Sequence, residues 1–164
     1  MLAIKQYPIY IFYGQRREMQ VRLTVYTDYA LRVLMYLAMK EDRLATIAEI
    51  AKSYDISRNH LMKVAHQLGV GGYVETVRGR NGGLRLAKPI EAIGIGEVVR
   101  YTEPDMAIVS CFEPLDGACA LRPICVLKRA LNGARDAFLE VLDGYTLADL
   151  VEPRARLSAL LGIG

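Results

Sequence analysis

No apolar run in this chain approaches the roughly 18–20 residues needed to cross a bilayer, so the sequence offers no membrane span. A phosphate-binding glycine loop is missing as well. The glycines at 79, 82 and 83 do not match the dinucleotide fingerprint, which leaves a nucleotide-dependent enzyme unsupported. There is no internal repeat and no low-complexity tract. Histidine is confined to His60 and His66. No nucleophile and base pair up in the sequence, so the chain does not read as an enzyme. Cysteine is confined to Cys111, Cys119 and Cys125. An odd, clustered set without an export signal argues for the cytoplasm and against a disulfide scaffold.

The opening segment MLAIKQYPIYIFYGQRRE is broken by Pro8 and lacks a small-residue cleavage site, which excludes a signal peptide. A second methionine, Met19, stands directly before the first well-patterned segment. Residues 1–18 are therefore expected to be a poorly ordered N-terminal extension.

What is present is an uneven charge. The net charge is only +3, yet residues 52–90 carry Lys52, Arg58, Lys63, Arg78, Arg80, Arg85 and Lys88 against Asp55 and Glu75 alone. Residues 91–164 are net acidic. A basic block inside a near-neutral chain suits a face that meets a polyanion.

The apolar spacing predicts helices. Thr27 reads as the N-cap of a first helix over about 27–40, with Ala30, Leu31, Val33, Leu34, Leu37 and Ala38 on one side. Thr46 and Glu49 form a capping box that opens a short helix to about Ser53. After a brief turn at 54–56, Ser57 reads as the cap of a third helix. Its buried stripe is Leu61, Val64, Ala65 and Leu68, and its other face carries Arg58, Asn59, His60, Lys63, His66 and Gln67. Two helices joined by a three- or four-residue turn make a helix-turn-helix, here over about 48–71. The polar face of the second has the side chains that contact phosphates and base edges in a major groove.

Gly71 and Gly72 end that helix. Residues 73–77 and 84–86 read as strands around a turn tipped by Arg78 and Arg80, a β-hairpin closed by Pro89. Directly after a helix-turn-helix this is a wing, with its cations aimed at a backbone or minor groove. Ser57, Arg58, Asn59, His60 and Lys63 from the helix, with Arg78, Arg80 and Asn81 from the wing, are the expected DNA contacts. A further helix spans about 93–101, with Ile95, Val98 and Val99 inward. Residues 102–124 hold three prolines and two cysteines, a long loop of the kind that is usually functional. Cys125 then opens a helix of about 18 residues with a broad apolar stripe, Val126, Leu127, Ala130, Leu131, Ala134, Ala137, Phe138, Val141 and Leu142. Such a stripe needs a partner. A second copy is the economical one, with packing on the first helix of the same chain as the alternative. The tail 145–161 is expected to pack beside this long helix.

The expected fold class is thus mainly α with a small β-hairpin wing: a winged helix-turn-helix at 19–101, a candidate cluster-binding loop at 102–124, and a dimerisation helix with C-terminal tail at 125–164. The cysteine spacing C-x7-C-x5-C leaves three readings open. The thiols are inert and buried, they hold zinc or act in an iron-free redox response, or they ligate an iron–sulfur cluster completed by a fourth group. Cys125 at a helix start would have its thiolate favoured by the helix dipole.

From Met19 to about residue 152 the chain resembles the Rrf-type winged-helix regulators, and among them the nitric-oxide-sensing repressors. The resemblance lies in LTVYTDYALRVLMYLA at 23–38, ISRNHLMKVAHQLGVGGYV at 56–74, VRGRNGGLRLAKP at 77–89, IGEVVRYTEP at 95–104, the cysteine loop, and YTLADLV at 145–151. It implies a homodimer on double-stranded operator DNA with one iron–sulfur cluster, 2Fe-2S or 4Fe-4S, per subunit, and nitric oxide as the signal that ends repression. It also implies Cys111, Cys119 and Cys125 as cluster ligands, with Asp28 from the partner subunit as a fourth. Arg32, one turn later, is placed to pair with an acidic group there. Lys128 stands where the family's cluster-biogenesis branch has a ligand histidine, which disfavours that branch. The first cysteine gap is longer than the family's usual one, leaving the cluster type open.

Overall fold

The computed structural model of the protein describes residues 22–40, 43–108 and 124–163. The expected extension at 1–18 lies outside them, as do Cys111 and Cys119.

The head begins with α1 (Val25–Lys40), α2 (Ile47–Tyr54) and α3 (Arg58–Val70), followed by the hairpin β1 (Val74–Val77) and β2 (Gly83–Leu86). A short 3-10 turn at Ile90–Ala92 leads into α4 (Ile95–Thr102). Beyond the cysteine segment come α5 (Val126–Asp143), α6 (Leu147–Leu150) and α7 (Arg154–Leu161).

α1 is the central post. Ala30, Val33, Leu34, Tyr36, Leu37, Ala38 and Met39 are all buried, so it is covered on more than one side. The cap expected at Thr27 belongs to Thr24, whose Oγ1 accepts the Thr27 amide at 3.2 Å. Thr27 is fully buried inside the helix, and its hydroxyl meets that of Thr24 at 3.1 Å. The correction has a simple cause: a threonine three residues upstream reaches the first free N–H groups.

The Thr46–Glu49 capping box forms as expected, with the Thr46 amide on Glu49 Oε2 at 2.7 Å and the Glu49 amide on Thr46 Oγ1 at 3.2 Å. The turn between α2 and α3 is made by Asp55 at φ 53°, a left-handed conformation that a short polar side chain tolerates. α3 buries Leu61, Val64, Ala65 and Leu68, the four residues of its expected stripe. The hairpin pairs Val74 with Leu86, Glu75 with Arg85, Thr76 with Leu84 and Val77 with Gly83. Its inner strand is tied to the start of the helix-turn-helix by two backbone hydrogen bonds between Ala45 and Leu84, at 2.8 and 3.0 Å. The wing is therefore fixed at its base.

The C-terminal tail does not run along α5. It returns to the head, where Leu147 and Val151 are fully buried and Ile163 nearly so. The Ile95 amide donates to Tyr145 O at 2.9 Å and the Leu147 amide to Ile93 O at 2.8 Å. Ser53 Oγ donates to Leu161 O at 2.9 Å. Three buried side chains outweigh any contact the short tail would make along the narrow helix, since each is worth about 1.5–3 kcal/mol.

Candidate DNA interface and cluster site

The second helix of the pair presents its polar face to solvent. Arg58, Asn59, His60, Lys63, His66 and Gln67 are all exposed. Ser57 occupies the N-cap position but makes no side-chain cap hydrogen bond, against expectation. The residue is exposed, so its hydroxyl is accessible to an outside partner. α3 has no acidic residue in its first turn. The positive end of its dipole is thus uncompensated by its own helix. His60 stacks on Tyr29 of α1, with ring centroids 6.2 Å apart and planes 29° apart. Tyr29 went unnoticed in the sequence because the two residues lie on different helices with α2 between them.

The wing carries Arg78, Arg80 and Asn81 at its exposed tip, and Gly79 makes the turn at φ 118°. Only glycine enters that region freely. Lower on the hairpin, Glu75 is neutralised across the strands by Arg85 at 2.8 Å, which leaves the tip cations to set the charge of its outer end.

Also on α1, Asp28 and Arg32 pair over one helical turn, with Arg32 Nε 2.9 Å from Asp28 Oδ2. The Arg32 guanidinium also lies 5.6 Å from the Tyr54 ring centroid. Asp28 is about half exposed, so its carboxylate is held yet accessible. Glu103, just past α4, accepts from the Thr24 amide at 2.8 Å and from its hydroxyl at 3.1 Å. That carboxylate tethers the root of the cysteine segment to the start of α1, and sequence reading missed it.

Cys125 is the N-cap of α5. Its Sγ accepts the Lys128 amide at 3.4 Å, and the residue is partly buried. Iron is ligated by cysteine sulfur, and the Cys125 sulfur stands at the open start of a helix. The donor chemistry of Cys125 and of the accessible Asp28 carboxylate therefore fits a cluster. Cys111 and Cys119 lie outside the described residues, and among the described residues no group of three His, Cys, Asp or Glu side chains is gathered for a metal.

α5 itself buries none of its residues. Val126, Leu127, Phe138 and Val141 are between 44 and 66% exposed. Its packing is against α4, where Arg100 and Asp143 form a two-bond ion pair at 2.5 and 2.6 Å. The paired guanidinium holds the Asp143 carboxyl below its usual range. No described helix is long and apolar enough to cross a membrane.

A helix-turn-helix with an exposed polar second helix, followed at once by a cation-tipped hairpin, defines a winged helix-turn-helix DNA-binding regulator and not an enzyme. The chain belongs to the Rrf2 family, described as an iron-dependent transcriptional regulator, whose model matches residues 23–153. It is 54% identical over 142 residues to the HTH-type transcriptional regulator NsrR of Bacillus licheniformis, covering 86% of this chain and 99% of that one. To the protein of the same name from Bacillus subtilis it is 53% identical, over 86 and 97% of the two chains. Among solved structures it is similar to CymR, the global cysteine regulator of B. subtilis, with a TM-score of 0.64 and 27% identity over 80% of this chain and 96% of that one. The IscR of T. potens shares the fold, with a TM-score of 0.66 at 24% identity over 82 and 88% of the chains.

Proposed function

We propose that the protein is a cytoplasmic, nitric-oxide-sensitive transcriptional repressor that binds operator DNA as a homodimer and senses through an iron–sulfur cluster. The carrying observation is the solvent-facing row Arg58, Asn59, His60 and Lys63 on α3, followed by the Arg78–Arg80–Asn81 tip, in a chain of an iron-dependent regulator family. Ser57 and these side chains would meet phosphates and base edges from the helix, and Arg78, Arg80 and Asn81 would meet them from the wing.

Cys111, Cys119 and Cys125 would hold the cluster, one per subunit, with Asp28 of the partner subunit as the fourth ligand. To ligate, Asp28 must loosen its pairing with Arg32, which the half-exposed geometry permits. When bound, the cluster supplies iron that reacts with nitric oxide. The rest of the response belongs to the chain. The 102–124 segment joins the head to α5, and the exposed apolar stripe of α5 is the surface for a second copy. Restraint of that segment by its thiolates would fix how α5 leaves the head. Two reading helices on one duplex must sit about 34 Å apart, so a change in that angle lowers operator affinity. Loss of the restraint lets the population drift from the operator-competent state.

The second reading is an iron-free thiol- or zinc-based redox regulator, favoured by the likeness to CymR, a cysteine regulator by name. Anaerobic purification separates the two. The cluster reading expects a coloured protein with iron and sulfide, bleached by nitric oxide with loss of binding to a duplex recovered by in vitro selection. A colourless protein whose DNA affinity is unchanged by nitric oxide would overturn it.

A further inference from the structure

Tyr101 lies in the last turn of α4, two residues before Glu103 and at the root of the cysteine segment. Its hydroxyl donates to the carbonyl of Gln67 at 2.8 Å. That carbonyl also accepts the Gly71 amide at 2.9 Å, so it ends α3 with both lone pairs engaged. Gly71 is the C-cap of α3 in an ordinary right-handed conformation. It is small for a steric reason, because a Cβ there would lie 2.7 Å from the Tyr101 ring. The ring also tilts against Tyr73 at the base of the wing, with centroids 5.5 Å apart, and Tyr73 bonds Glu97 of α4 at 3.1 Å.

We propose that Tyr101 is a positioning residue for DNA recognition: it seats the C-terminal end of α3 on the last turn of α4 and so sets the placement of the recognition helix. This rests on reading α3 as that helix. The gap at Gly71 is too small for even a methyl group, and the Tyr101–Gln67 bond spans it, so displacement of the last turn of α4 is passed to the end of α3. Through Glu103 and Thr24 the same turn is tied to the start of α1. Tyr101 is 39% exposed, so its hydroxyl adds little to stability and its task can be tested without unfolding the head.

The test uses two variants of the full chain. Tyr101→Phe removes the hydroxyl and keeps the ring. Gly71→Ala keeps the hydroxyl and pushes the ring away, at a backbone angle that alanine accepts. The probes are a duplex recovered by in vitro selection with the unmodified protein and a shuffled duplex of equal length. Tyr101→Phe should keep the parent melting temperature, Gly71→Ala should still melt cooperatively, and both should keep iron content and shuffled-duplex affinity. Their preference for the selected duplex should fall by about fivefold or more, as for loss of one base-edge contact. Amide exchange at Gly71 and Tyr73 should speed up in both. An unchanged preference in both variants, or an equal loss on both duplexes, overturns the proposal. A parent protein that selects no duplex at all would instead sink the reading of α3 as the recognition helix.

Discussion

Tyr54 closes α2 with its ring against Tyr36, 6.3 Å between centroids, and with Arg32 above it. Its hydroxyl is buried and finds no hydrogen-bond partner among the described residues. Stripping water from such a group without replacement costs about 1–3 kcal/mol. Tyr54→Phe removes that cost and leaves the ring, its packing and its contact with Arg32 in place. The variant should be more stable by about 1–2 kcal/mol, which for a chain of this size raises the melting temperature by roughly 3 °C per kcal/mol. Burial also pushes the Tyr54 phenol up from 10.0 to about 12, with Arg32 opposing. A raised acid pKa means that the neutral form is favoured in the folded state. The resulting stability is whole below pH 10 and drains away as pH climbs to about 12, by on the order of 3 kcal/mol. The parent should therefore soften steeply in that alkaline window, and the variant less so. Calorimetry at one fixed protein concentration between pH 7 and 11 reads both effects, since association also shifts the midpoint. A variant that melts lower than the parent at pH 7 would refute the reasoning, because the hydroxyl would then be making a net favourable bond in the fold.

Lys63→Ala should reduce the slope of log affinity against log salt by about 0.9 if the lysine meets one phosphate, with little change in melting, as read by fluorescence anisotropy across a salt series. Phe138→Asp places a charge on a stripe that is exposed among the described residues. Sedimentation should show a dimer turning to monomer, and an unaltered dimer would remove α5 as the contact surface. At the acid end, the Thr46 amide and hydroxyl depress Glu49 below its usual 4.5, and the Thr146 amide depresses Asp149 below 3.8. Depressed carboxyls stabilise above those values and cease to as pH falls through the lower folded ones. Melting temperature should thus hold steady from neutrality and fall only in stronger acid, and Glu49→Gln should flatten part of that fall.

Local signals were read well from sequence. The spacing of Leu61, Val64, Ala65 and Leu68 fixes which side of α3 faces inward, and therefore which side carries Arg58, Asn59, His60 and Lys63 outward. The Thr46–Glu49 pair marks the start of α2 because its partners are three residues apart. Thr24 and Thr27 compete for the same role at that same spacing, and the pattern alone favoured the wrong one. Contacts made across the chain left no such trace. Glu103 reaches Thr24 over 79 residues and Tyr101 reaches Gln67 over 34, and nothing local in either segment requires it. The tail misled for a related reason. Leu147, Val151 and Ile163 are apolar enough to cover either surface, and long-range ties such as the Gly94–Thr146 pairing and the Ser53–Leu161 bond decide between them.

That return of the tail makes the reading head discontinuous. Its interior is completed by side chains from both flanks of the α5 excursion, so cutting the chain after α4 would leave a hole where Leu147 and Val151 belong. The α5 excursion is an insert clamped at two roots, not an appendage on one hinge. A pull exerted within it is delivered to the DNA-reading body from two directions at once.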